Sequence, residues 1–220
     1  MHRGLKRAGV IACLVFCVAC AQVALLSVTP VIAALASHLD RRSASEIVEL
    51  EKEQDWPGML SLARLHLQRE PGRAEWWFLQ GYALARRGQH AEAVASYQEA
   101  IRISPEDEAS WLALGQSQSA LGQMERAIQA YRQVLSYRPE SALAYLALAD
   151  TYQRQGRPDL AIANYLECVR YDPDSAQGWL GLAAAYQITG QREHRDEALL
   201  GLRRLNPDAA DQFEKQYPSK

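Results

Sequence analysis

One spacing governs this sequence. Trp77, Trp111, Tyr145 and Trp179 stand 34 residues apart. Gly88, Gly122, Gly156 and Gly190 keep the same step, as do Tyr97, Tyr131 and Tyr165, and Pro105, Pro139, Pro173 and Pro207. A fixed period of this length means that one supersecondary unit recurs and that each copy completes its core against its neighbours. Within residues 74–107 the unit reads as two helices. The first is expected over 75–87, where Trp77, Gln80, Gly81 and Leu84 share a face. Gly88, after the Arg86-Arg87 pair, supplies a left-handed stop. The second starts near residue 91 and turns Ala93, Tyr97, Ala100 and Ile101 inward. Pro105 ends it, because proline cannot continue a helix and pushes Ser104 to an extended conformation. Gly81, Gly115, Ala149 and Ala183 form one small-residue column, and Ala93, Ala127 and Ala161 form another. Both let paired helices approach closely, while the Trp and Tyr columns fill the remaining volume.

These residues resemble the tetratricopeptide repeat family, whose pattern is W-x2-L-G-x2-Y, then A-x3-F, then P. Trp111, Leu114, Gly115, Ala127, Tyr131 and Pro139 match it. So do Tyr145, Leu148, Tyr152, Ala161, Tyr165 and Pro173, with Ala149 in place of glycine. The resemblance implies an all-α helix-turn-helix solenoid over residues 46–207, of about five units with degenerate first and last copies. Residues 40–73 keep Pro71 but carry Gln54 in the glycine column, and their second helix is expected over 57–68. The last unit places Arg195 where a small buried residue belongs. Residues 208–220 read as a cap and tail, with a short helix over 208–217 covering the open end.

The N-terminus poses a separate question. After a short basic stretch, residues 1–7, no Asp, Glu, Lys or Arg occurs until Asp40. Residues 8–36 are long and apolar enough to read as a transmembrane signal-anchor segment, followed by a tether over 37–45. Two other readings stay open: a signal peptide cleaved after Ala34-Leu35-Ala36, and a lipoprotein modified at Cys20. The apolar run exceeds the usual signal-peptide core, which favours the anchor. Arg3, Lys6 and Arg7 precede it, so the positive-inside rule leaves the N-terminus cytoplasmic and the solenoid extracytoplasmic, or periplasmic in a Gram-negative cell. Arg41 and Arg42 narrow that margin.

Charge and motif content exclude several function classes. The net charge is −2. Leaving out the three basic residues before residue 40, 21 basic residues face 26 acidic ones. A nucleic-acid binder would show a basic face instead. Cys13, Cys17 and Cys20 share one face of the apolar segment, and Cys168 stands where other units carry Ala100 and Val134, so it reads as a small core residue. The five histidines form no zinc-spaced cluster, and P-loop, GxGxxG and GxSxG motifs are missing. The chain reads as no enzyme, with no metal and no cofactor.

The resemblance implies that first helices line a concave groove holding a peptide or a partner helix. The column after the aromatic is Phe78, Leu112, Leu146 and Leu180. Four residues on come Tyr82, Gln116, Asp150 and Ala184, then Arg86, Ala120, Arg154 and Ile188. The groove site expected from these columns is Phe78, Tyr82, Arg86, Leu112, Gln116, Leu146, Asp150, Arg154 and Leu180. The competing reading packs the apolar column between helices. A related subfamily grips acidic chaperone tails through Lys and Asn in these columns, and those residues are lacking here. The functional expectation is a membrane-anchored adaptor that binds a protein partner and aids assembly of an envelope complex, such as cytochrome c maturation, pilus or secretion machinery. The alternative is a structural self-association module without peptide binding.

Overall fold

The computed structural model describes Ile32 and residues 39–218. Eleven helices lie between Arg41 and Gln216. They are α1 (Arg41–Glu53), α2 (Trp56–Arg69), α3 (Ala74–Arg86), α4 (His90–Ile103), α5 (Glu108–Ala120), α6 (Met124–Tyr137), α7 (Ala142–Arg154), α8 (Pro158–Tyr171), α9 (Ala176–Thr189), α10 (Arg192–Leu205) and α11 (Pro207–Gln216). The helix pairs fall on the 34-residue step, within one or two residues of the boundaries read from the sequence. The tether expected over 37–45 is helical from Arg41 onward, because Asp40 caps the backbone N–H groups of Arg42 and Ser43.

Each boundary has a local cause. Asp107, Ser141 and Ser175 share one column, and each accepts from the backbone N–H three residues on, starting α5, α7 and α9. The first helices of the four regular units stop at Gly88, Gly122, Gly156 and Gly190, all with φ between 70° and 77°. Gln54 occupies that column in the first unit and is forced to φ 56°, although it carries a Cβ.

Neighbouring units are fastened by a recurring hydrogen bond. The indole N–H of Trp77 donates to the Pro71 carbonyl at 2.9 Å, Trp111 to Pro105 at 2.7 Å and Trp179 to Pro173 at 2.8 Å. Trp and Pro of successive units are thus paired through the backbone as well as by packing. Tyr145 stands in the Trp column of the third regular unit and has no indole; it stacks on Tyr171, with ring centroids 5.7 Å apart.

The core forms two buried clusters. One contains Ile32, Ile47, Met59, Trp76, Phe78, Leu79, Tyr82 and Tyr97. The other runs from Ala127 and Tyr131 through Tyr152, Tyr165 and Leu182 to Leu202 and Phe213. Between them α5 buries polar side chains, Ser110, Ser117, Gln118 and Ser119. Arg195 is 3% exposed. Its guanidinium donates to Asp196 and to Gln187, the latter at 2.8 Å, so the oversized residue of the last unit is buried with partners. Beyond it, α11 puts Ala210 and Phe213 against the open end, where Arg203 holds Asp211 and Glu214. Cys168 is buried as expected, and burial pushes its thiol up to about 11.

Among the described residues no helix is long and apolar enough to cross a membrane. The segment expected to do so, 8–36, lies outside the described residues except for Ile32, as do Cys13, Cys17 and Cys20. Ile32 belongs to the N-terminal buried cluster with Ile47 and Phe78.

Candidate functional site

Consecutive first helices touch: α3 meets α5, α5 meets α7 and α7 meets α9, whereas successive second helices meet less. The array therefore curves with its first helices on the inner side. Residues that a first helix turns away from its own second helix line this inner face.

The structure divides the expected groove residues into two groups. Phe78, Tyr82 and Arg86 on α3 are closed off. Phe78 is 4% exposed and Tyr82 5%. Phe78 packs against the rings of Tyr82 and Tyr97. The Tyr82 hydroxyl donates to Glu51 Oε1 at 2.7 Å. Trp56 meets the Tyr82 ring edge-on, and the Arg86 guanidinium lies 4.5 Å above the Trp56 ring. The degenerate first unit thus covers the α3 end of the groove, and these three residues are core and joint rather than open lining. Large aromatics in two adjacent groove columns, with Trp56 just upstream, were the available signal.

The second group is open. Leu112, Leu146 and Leu180 are half-buried, resting on the C-terminal cluster with part of their surface free. Gln116 and Arg154 are exposed, and Asp150 is half-buried. Two apolar neighbours outside the expected site stand on the same face: Leu143 at the start of α7 is 49% exposed, and Ile188, which the columns held but the site did not include, is 59% exposed at the end of α9. The spacing of Leu143 to Leu146 on a helical face would have found it.

Polar groups fix two of these side chains. Arg154 reaches from α7 to α5, where Nη1 donates to the Ser119 hydroxyl at 2.6 Å. Asp150 accepts from the hydroxyl of Tyr165, which is wholly buried on α8, at 2.5 Å. Burial raises the Asp150 carboxyl to about 6, against the lowering effect of the Tyr165 hydrogen bond and of the Arg154 charge. On the other side of the array, an open cleft of about 400 Å³ between α2, α3 and α4 is lined by Trp77, Gln80, Glu92 and Ser96. Gln80 and Ser96 are already bonded to each other there. Among the described residues no group of His, Cys, Asp and Glu could hold a metal ion.

Against known families, a tetratricopeptide repeat model matches residues 142–175, and a TPR repeat model matches residues 81–122 and 119–156. Residues 81–175 are tetratricopeptide repeats. Among solved structures it is similar to MamA, with a TM-score of 0.62 at 19% identity over 77% of this chain and 96% of that one. It is also similar to YrrB, described as a TPR protein with an unusual peptide-binding site, with a TM-score of 0.60 at 18% identity over 76% of this chain and 87% of that one. At such identity the likeness concerns the fold alone. No curated protein matches the chain in sequence.

Proposed function

We propose that this tetratricopeptide repeat protein is a membrane-anchored adaptor that holds a segment of a partner protein along the inner face of α5, α7 and α9. The observation that carries the reading is the apolar surface left open there: Leu112, Leu146 and Leu180 half-covered, with Leu143 and Ile188 largely bare. A row of apolar anchors on a curved, pre-formed scaffold suits an extended or helical segment. YrrB shares the fold and its description includes a peptide-binding site, which supports the same use of this one. The anchor rests on the uncharged run of residues 8–36. Ile32 lies in the solenoid's buried cluster, so a span ending before it fits better than one reaching residue 36. With a basic N-terminal flank, the solenoid would lie outside the cytoplasm. Tethering raises the effective concentration near a membrane partner, so modest groove affinity suffices to contribute to assembly of an envelope complex.

One experiment tests both parts. The full chain is cross-linked in its native cells, membranes are washed with carbonate, and co-purifying proteins are compared between the parent and Leu112→Ser/Leu146→Ser. The parent stays in the membrane pellet with its partner. The double variant stays there folded but captures at least several-fold less, because interface energy concentrates in central shielded contacts. Leu166→Ser on the outer face, where Leu166 is also exposed, leaves capture unchanged. Release by carbonate refutes the anchor. Full capture by the folded double variant refutes the groove.

A further inference from the structure

We propose that Asp150 makes the groove selective for a segment that carries a Lys or Arg between apolar side chains. This deepens the groove reading above and rests on it. On α5, α7 and α9 the inner-face columns hold Ala109, Leu112, Gln116, Ser119 and Ala120, then Leu143, Leu146, Asp150, Gln153 and Arg154, then Gln177, Leu180, Ala184, Gln187 and Ile188. Asp150 and Arg154 are the ionisable members. Arg154 is engaged by Ser119 on the neighbouring helix. Asp150 stands on the middle of the three helices, one turn from Leu146, and the same column on the uncharged helix α9 holds Ala184.

Its bonding is incomplete. A carboxylate offers about four acceptor sites, and the Tyr165 hydroxyl uses one. Asp150 forms no ion pair among the described residues; Arg154 acts on it through charge but donates its hydrogen bonds to Ser119. The other ionisable groups that sense it, Tyr131 on α6 and Cys168 on α8, are neutral at ordinary pH and bring no cation. Neither α5 nor α9 adds one, since neither helix carries a Lys, Arg or His. A half-buried carboxylate without a hydrogen-bonded ion-pair partner is costly. A basic side chain entering the groove would remove that cost, while an acidic one would add to it. The neighbouring leucines and Ile188 then take the apolar residues on either side of the cation.

The test is selection of peptides from a random library displayed on phage against the full chain in detergent micelles. Enriched peptides are expected to carry a Lys or Arg flanked by apolar residues. Asp150→Asn keeps an acceptor for Tyr165 and removes the charge, and it should weaken a selected peptide by about tenfold or more while leaving the counterpart with Gln in place of the basic residue unchanged. Arg154→Gln removes a competing cation and should tighten the basic peptide, a gain that misfolding cannot mimic. Enriched peptides that are apolar without a basic residue, or equal binding of the basic peptide to Asp150→Asn and parent, overturn the assignment and leave the groove reading standing. Selected peptides that bind Leu112→Ser/Leu146→Ser at full strength, or no enrichment at all, overturn both.

Discussion

Gly115→Leu probes the packing on which every unit depends. A Cβ at Gly115 would stand 2.8 Å from Tyr131 Cζ and 2.9 Å from Cδ1, closer than any ordinary carbon contact. The ring has no free space to move into, because Tyr131 is 2% exposed and enclosed by α5, α6 and α7. Overpacking of this kind costs about 1–3 kcal/mol, and a four-carbon side chain belongs at the upper end. Replacing a mid-helix glycine returns about 0.8 kcal/mol in helix propensity. The net loss is therefore about 2 kcal/mol, or about 4–8 °C in Tm for a domain of this size. Thermal unfolding followed by circular dichroism measures it. The third regular unit shows what relief requires. It carries Ala149 in this column, and there Tyr165 leans toward the next first helix, where a Cβ on Gly181 would lie 2.8 Å from the hydroxyl. One step back in the repeat, Ala147 holds the Gly181 place. Ala147→Gly should therefore recover part of the loss in Gly115→Leu although by itself it destabilises, a coupling that a double-mutant cycle reads. A Tm for Gly115→Leu equal to the parent's would refute the assignment of this column to the helix interface.

Two further outcomes follow from the same structure. Burial raises the Asp150 carboxyl from 3.8 to about 6, so the fold favours its protonated form; the contribution of this group to stability is most favourable below about pH 4, falls as pH rises from about 4 to about 6, and carries its full penalty above that. The shift corresponds to at most about 3 kcal/mol, less for a half-buried group, so Asp150→Asn should melt higher than the parent above about pH 7, with the difference vanishing below about pH 4, and a parent that melts higher at neutral pH would contradict this. Gln54→Gly removes the Cβ from a left-handed position and should stabilise the chain by about 1 kcal/mol, read as a higher denaturant midpoint at unchanged slope.

The period alone determined the helices, their order, the glycine stops and the small-residue columns, since these depend on contacts within a unit or between adjacent identical units. Tyr97, Tyr131, Tyr165 and Cys168 are buried where their columns placed them. Arg195 was legible as an intruder, but its partners Asp196 and Gln187 were not. Which stretch of the groove is open was decided only by the tertiary structure. A repeat assigns the same face to Phe78, Leu112, Leu146 and Leu180, yet Phe78 is covered because α1 and α2 close over α3, with Ile47 and Met59 in its buried cluster and Glu51 and Trp56 against Tyr82. Exposure depends on what lies across from a residue, and at the ends of an array that neighbour is no longer another copy. For the same reason the binding of Tyr165 to Asp150 and of Ser119 to Arg154 could not be read from the columns: each joins residues on different helices whose approach is set by packing, and the charge pattern of the groove is what those approaches leave unpaired.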